Sequence, residues 1–314
     1  MRKLACLGIL VGDFVVRPVK KMPERGKLEL VETCELHIGG CASNTAVVAR
    51  KLGTEVSVIG KIGNDALGEF VLSALKKEGL DVSMVRIEKG ITTSGTAVLV
   101  FPDGERSFLH SIGANSKFSV EDIDFEYLKN FDIVHVAGIF LMPGLEGKKL
   151  QTLAIKVKQI NKILSFDTAW DSTGRWLPVI EDSLAYVDYF FTSLEEAKML
   201  SGKSDYIEMA KFFLEKGVKN VCLKMGPDGS YVTDGKVSNY YPALKVCAVD
   251  STGAGDAYVA GFLTGILKGY DLLKAGLLAN TVGAMSVTAV GATSGIVDWD
   301  SLVSFAKKHN VEVL

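Results

Sequence analysis

Four consecutive residues invite a chemical reading first: Gly253-Ala254-Gly255-Asp256, inside the stretch Asp-Ser-Thr-Gly-Ala-Gly-Asp-Ala that begins at Asp250. Residues 243–249 are an apolar run broken by one Lys, as in a strand. Beyond the glycines, Ala257, Val259, Ala260, Phe262, Leu263, Ile266 and Leu267 recur at helical spacing. The glycines therefore fall at a strand-to-helix turn. A helix start leaves backbone N–H groups unpaired and carries positive dipole potential, which suits an anion and above all a phosphate. Two glycines let successive N–H groups face one concavity. Asp256 is out of place there, because a carboxylate repels a neighbouring anion. Two roles fit. It could be a general base, taking a proton from a hydroxyl as that oxygen attacks phosphorus. It could equally be an acidic residue favoured in a first helical turn.

A second glycine turn, Gly39-Gly40, precedes another helical pattern that carries Asn44, a side chain suited to a polyhydroxyl ligand. Asp13, just past the first apolar run, adds a carboxylate that could accept from two hydroxyls, or serve only as a turn residue. Gly226-Pro227-Asp228-Gly229 follows a further apolar run and suits either nucleotide contact or a hairpin turn. In open α/β sheets ligands gather beyond the carboxyl ends of the strands, so these turns could converge. Two look-alikes fail. Ser201-Gly202-Lys203-Ser204 imitates the tail of a P-loop, but Ala197 stands where that motif needs Gly and the residues before it read as helix, so Gly202 reads as a helix C-terminal glycine. Gly253-x-Gly255-x-x-Tyr258 lacks the third glycine of a dinucleotide fingerprint.

These turns need a frame. Residues 4–10 read as a strand, 28–38 as a half-exposed alternating strand, 43–52 as a helix, 56–59 as a strand and 67–77 as a helix. Residues 93–101 and 106–110, around Pro102-Asp103-Gly104, form a hairpin signal. Strands near 132–137, 162–167, 187–191 and 219–224 then alternate with helices near 147–158, 178–184, 194–201 and 205–216. A hairpin at 229–240 and three closing helices, the last at 298–308, complete the chain. Such alternation predicts an α/β fold: a doubly wound, mostly parallel sheet with helices on both faces. The exposed strands do not fit that sheet, and segments near 14–38 and 93–110 are expected to form a small inserted β lid. The expected organisation is one domain, 1–314, with no linker or repeat.

Composition narrows the function. With 48% apolar residues the 314-residue chain can fill a large core. A net charge of −2, from 35 basic and 37 acidic residues, argues against a nucleic-acid partner. Five scattered cysteines without metal spacing point to buried thiols in a reducing cytoplasm. Residues 4–11 read as a buried first strand, since no small-residue cleavage site follows. Residues 272–297 carry one charge, Lys274, but are rich in Gly, Ala, Ser and Thr and hold Asn280, so no membrane span is expected.

The whole chain resembles the ribokinase-like (PfkB) family of carbohydrate kinases. Gly39-Gly40-Cys41-Ala42-Ser43-Asn44-Thr45-Ala46, running to Gly53, is similar to its N-terminal signature, and Asp250-Ser251-Thr252-Gly253-Ala254-Gly255-Asp256-Ala257 to its C-terminal one. The resemblance implies phosphoryl transfer from ATP, with Mg2+, to a hydroxyl of a small sugar. It makes Asp256 the base and Gly253, Ala254 and Gly255 the anion hole. Asp13, Gly40 and Asn44 become sugar-binding positions, with Gly39 in the same turn. It places the nucleotide at Asn280 and the Lys224-Met225-Gly226 turn, with Gly229 closing that turn. It places a monovalent cation, usually K+, at Asp250, the backbone of Thr252 and the region of Gly291. The family's Asn-x-x-Glu near magnesium is Ser193-Leu194-Glu195-Glu196 here, so Glu196 matches while Ser replaces Asn. A nucleoside kinase of the same family and a non-catalytic sugar-binding or sensor protein are the competing readings. A pure binder has no use for Asp256. Cys34, Leu36 and Ile38 would give the lid an apolar outer face, as in a homodimer paired through the lids.

Overall fold

Leu4, Ala5, Cys6 and Leu7 are all fully buried, as a strand covered on both faces must be. The structure, a computed structural model, describes residues 2–102 and 105–313. Its strands are β1 (Lys3–Gly8), β2 (Val11–Arg17), β3 (Thr33–Gly39), β4 (Glu55–Gly63), β5 (Asp81–Glu88), β6 (Gly95–Val100), β7 (Arg106–Ser111), β8 (Ile133–Ile139), β9 (Ile163–Thr168), β10 (Tyr189–Ser193), β11 (Asn220–Lys224), β12 (Ser230–Thr233) and β13 (Ser238–Tyr241). The helices are α1 (Cys41–Lys51), α2 (Ala66–Lys77), α3 (Phe125–Leu128), α4 (Lys148–Gln159), α5 (Leu177–Leu184), α6 (Leu194–Ser201), α7 (Tyr206–Glu215), α8 (Ala254–Leu267), α9 (Leu272–Ser286) and α10 (Trp299–Lys308).

Nine strands form one sheet in the order β13-β12-β11-β10-β9-β8-β1-β4-β5. All neighbours from β11 to β5 run parallel; β12 and β13 complete one edge as an antiparallel hairpin. Period-two alternation splits the core. Ala5 and Leu7 join Val134, Val136, Phe166 and the buried faces of α4, α5 and α7 on one side. Leu4 and Cys6 join Val58, α1, α8 and α9 on the other. The chain leaves β1 for β4 on one flank and reaches β8 on the other, so strand order reverses beside β1 and a crevice opens beyond the carboxyl ends.

The exposed strands form a separate sheet, β3-β2-β6-β7, as the lid expectation required. β2 and β6 are parallel, and the β2–β3 and β6–β7 pairs are antiparallel. Three details differ from the sequence reading. The alternating strand begins at Thr33, not 28; Leu28 and Leu30 lie outside the ladder and are about four-fifths exposed. Residues 243–249 carry no ladder, so the Gly253–Gly255 turn follows a loop and not a strand. Their last two residues, Ala248 and Val249, lie in the wall of a cleft. The edge strand β5 carries Asp81, Arg86 and Glu88 among its apolar residues and has no buried position, which hides it from a search for apolar runs. The Asp103-Gly104 turn lies outside the described residues.

Candidate active site

Gly253 starts α8 at φ 72°, and a Cβ there would stand 2.6 Å from the Ala292 carbonyl oxygen. Only glycine fits this left-handed, crowded position. No side chain caps the helix start. The N–H of Ala254 donates to the Ser251 carbonyl at 3.2 Å, and that of Ala257 to the Gly253 carbonyl at 2.8 Å. The first turn thus presents a positive end without a carboxylate or hydroxyl cap of its own. The Lys224 side chain reaches the same place: a Cβ on Gly255 would lie 3.3 Å from its ammonium nitrogen. A glycine cradle, an uncapped helix start and a buried cation together fit a phosphate group.

Asp256 lies in that first turn and is 9% exposed. Its Oδ2 accepts from Asn44 Nδ2 at 2.8 Å, and its backbone carbonyl from Thr45 Oγ1 at 3.4 Å. The two glycine signatures, distant in sequence, therefore meet where α1 packs on α8. Burial raises the Asp256 pKa, opposed by the Asn44 hydrogen bond, the Lys224 charge and the Cys41 thiol. Asn44 spends its amide donor on Asp256, while its buried Oδ1 has no partner among the described residues. Gly40, at φ 92°, starts α1; a Cβ there would strike the Ile9 carbonyl. A Cβ on Gly39 would strike the Asp13 carboxylate.

Asp13 belongs to the lid strand β2, not to a loop after the first strand. Burial pushes its pKa up to about 6, against the Thr96 hydrogen bond and His37; the Asp256 charge adds to the rise. A cleft of about 320 Å3 between the lid and the loops 248–252 and 290–292 is lined by Asp13, Arg17, His37, Arg106, Asp250 and Gly291, among others.

Lys224 ends β11 and donates to Asp167 Oδ1 at 2.5 Å. Burial would discharge it, but Asp167 and Glu196 hold its pKa above the usual lysine value. Glu196 is 8% exposed. Its Oε2 accepts from Thr168 Oγ1 at 2.8 Å and from the Ser193 N–H at 3.0 Å. Ser193 Oγ in turn accepts from the Glu196 N–H, so Ser193 is the N-cap of α6 in a reciprocal capping box. Gly226 begins a short 3-10 turn after β11 at φ 56° with open space on its Cβ side. Gly229 closes that turn where a side chain would strike the Tyr241 carbonyl. Asn280 stands apart, buried and bonded to Ser230 Oγ at 3.1 Å and the Pro242 carbonyl at 2.9 Å.

Asp250, Thr252 and Gly291 do come together. Asp250 Oδ1 accepts from the Thr252 N–H at 2.8 Å and Oγ1 at 2.7 Å, and Oδ2 from the Gly291 N–H at 2.9 Å. Burial alone would raise the Asp250 pKa, but the Gly291, Thr252 and Arg106 hydrogen bonds bring it down to about 2. Sequence reasoning missed the Asp167 partner of Lys224 and the contact of Arg106 with this loop. Asp167 had a visible signal, a carboxylate ending an apolar strand. Nothing in the spacing tied it to Lys224. Among the described residues no group of three His, Cys, Asp or Glu side chains is arranged to hold a metal ion.

The model of the pfkB family carbohydrate kinases matches residues 1–299. The 2-dehydro-3-deoxygluconokinase of Bacillus subtilis is 29% identical, the match covering 90% of each chain. The 5-dehydro-2-deoxygluconokinase of Clostridium perfringens is 31% identical over 88% of this chain and 86% of that one. Among solved structures, an E. coli protein described as a ribokinase II in complex with ATP and Mg2+ superposes with a TM-score of 0.86 at 23% identity, covering 98% of this chain and 100% of the other. The last likeness establishes the ribokinase-like fold. The chain belongs to the pfkB family of carbohydrate kinases. Its reaction is ATP-dependent phosphorylation of a sugar. ATP as donor and Mg2+ as its counter-ion are consistent with the E. coli complex.

Proposed function

We propose that the chain acts as one kinase unit in which Asp256 takes the proton from the attacking sugar hydroxyl. The observation that carries this reading is the 2.8 Å hydrogen bond from Asn44 to Asp256, which holds the carboxylate in the first turn of α8 against the helix that follows the second glycine turn. A base must sit within hydrogen-bond reach of the hydroxyl it serves. Asp13, Gly39, Gly40 and Asn44 form the sugar side of the cleft. The Gly253-Ala254-Gly255 turn at the positive end of α8, with Lys224 behind it, receives the charge that gathers on the transferred group. Gly226 and Gly229 border the nucleotide, and Asn280 braces the wall behind them. Mg2+ neutralises phosphate charge when bound, with Glu196 on that side of the site. Closure of the lid excludes water, which would otherwise compete with the sugar.

A monovalent cation, K+ in the first instance, belongs beside Asp250, the Thr252 backbone and Gly291; the convergence of these three residues on one carboxylate supports that placement. The activity is placed in the cytoplasm, in keeping with five free cysteines and with no helix among the described residues long and apolar enough to cross a membrane. The lid's outer face is proposed to pair with a second copy of the chain.

The test is ADP release by the wild-type protein with Mg2+ and a substrate panel. The panel holds 2-dehydro-3-deoxygluconate, 5-dehydro-2-deoxygluconate, ribose, fructose, inositol and adenosine, run in K+ and again with K+ replaced by tetramethylammonium. One sugar should raise ADP release far above the sugar-free rate, and K+ should raise it further. Turnover with adenosine alone would move the protein to the nucleoside kinases, and no turnover with any acceptor would remove the kinase reading.

A further inference from the structure

The tip of the lid is tied to the loop that leads into the anion-hole turn. The lid hairpin leaves the main body at Gly95 and returns to it at Ser111. Its last ladder pair, farthest from those ends, is Val100 with Arg106. From there the Arg106 guanidinium crosses the cleft and donates to three consecutive residues: Nη1 to the Asp250 carboxylate and Thr252 Oγ1, and Nη2 to Ser251 Oγ. The Arg106 and Asp250 side chains are only 16% and 17% exposed, which sets this pair apart from a solvated surface bridge. Gly253 follows Thr252 directly, so the guanidinium grips the residues that set the entry angle of α8. The planar fork of arginine can span several acceptors at once, which a lysine ammonium cannot reproduce.

We infer that Arg106 is a latch: a positioning residue by which closure of the lid and assembly of the 253–255 turn become one event. The inference rests on the kinase reading for its kinetic consequences, but the mechanical link stands on these contacts alone. Without Arg106, Asp250 keeps its bonds from Thr252 and Gly291. The loop is then not left with an unpaired carboxylate, and the fold survives. What is lost is the coupling. A lid that closes without ordering the turn admits sugar but transfers poorly, and it leaks phosphoryl groups to water.

The experiment compares wild type, Arg106→Ala and Arg106→Lys by two readouts. In kinetics, Arg106→Ala should lower kcat/KM for the sugar by roughly tenfold or more and raise the share of ATP hydrolysed without sugar transfer. Arg106→Lys should recover part of the rate. In amide hydrogen exchange, Arg106→Ala should speed exchange at 106–111 and at 250–255 together, with the main sheet unchanged. Faster exchange confined to the lid, or wild-type exchange in both segments, overturns the latch, as do wild-type kinetics in Arg106→Ala. If the wild type phosphorylates no sugar, the functional reading falls while the exchange comparison still decides the latch.

Discussion

At the scale of single residues, the proposed site rests on two carboxylates that burial pushes the same way. Asp256 is raised above the ordinary carboxylate range, and Asp13 stands at about 6. A base works only when ionised, so activity must fall as pH drops through these values. The sign follows: kcat/KM should be flat above neutrality and decline on the acid side, the Asp13 limb from near 6 and the Asp256 limb from above the roughly 3.9 of an unperturbed Asp. Burial is the main cause of both shifts, and the Asp256 charge adds a smaller rise to Asp13. Asp13→Asn should move the acid decline to lower pH while raising KM. Asp256→Asn should instead remove kcat by roughly 10²–10⁴, the usual weight of general base catalysis, and leave sugar binding intact. A pH series of initial rates with calorimetric sugar titration checks both. Near-wild-type turnover of Asp256→Asn would refute the assignment of the base.

At the scale of elements, most of the fold was legible because parallel strands buried on both faces write continuous apolar runs, and helices between them write 3.6-residue periodicity. What failed to read was whatever departs from that rule. β5 sits at an edge and mixes charges with Val82, Val85 and Ile87; residues 243–249 look like a strand but carry no ladder, and their last two residues line a cleft. The candidate site was legible through its glycines and through Asp256, since a carboxylate in a turn suited to phosphate conflicts with local electrostatics. Its supports were not: no periodicity announces that Lys224 meets Asp167 or that Asn44 meets Asp256. Gly253 shows how sharply an element start is specified. Gly253→Ala adds a Cβ at φ 72° and 2.6 Å from the Ala292 oxygen. It should cost about 1–3 kcal/mol in backbone strain and lower kcat at least in proportion, because the cradle must shift. Gly269 offers the control, with φ 89° and nothing within 4 Å of its Cβ position. Gly269→Ala should lower Tm by a comparable amount and leave kcat unchanged. Equal activity in the two variants would show that the turn at Gly253 has no catalytic precision to lose.

At the scale of the whole molecule, the four-stranded lid has two unlike faces. Asp13, Arg17, His37 and Arg106 look into the cleft. On the other face the register sets Leu36, Phe14, Ala97 and Leu109 in one row and Cys34, Val16, Leu99 and Ser107 in the next. Phe14 is 41% exposed and Leu109 64%. Two adjacent rows, apolar but for Ser107 at one end, are uncommon on the open sheet of a monomer, and a second identical lid is the simplest cover, since a twofold axis makes one patch complementary to itself. Sedimentation equilibrium should therefore give twice the chain mass. Phe14→Lys with Leu109→Lys, both on the outer face and neither in the cleft, should give the monomer. The lid strands would then exchange amide protons faster, because a four-stranded sheet with one wet apolar face has little to hold it shut. The sugar KM should rise with kcat falling less, since an unpaired lid closes more reluctantly over the same base and cradle. A wild-type protein that sediments at the single-chain mass at every concentration would show that this face is covered by something other than its own copy, or stays open to solvent while the lid works alone.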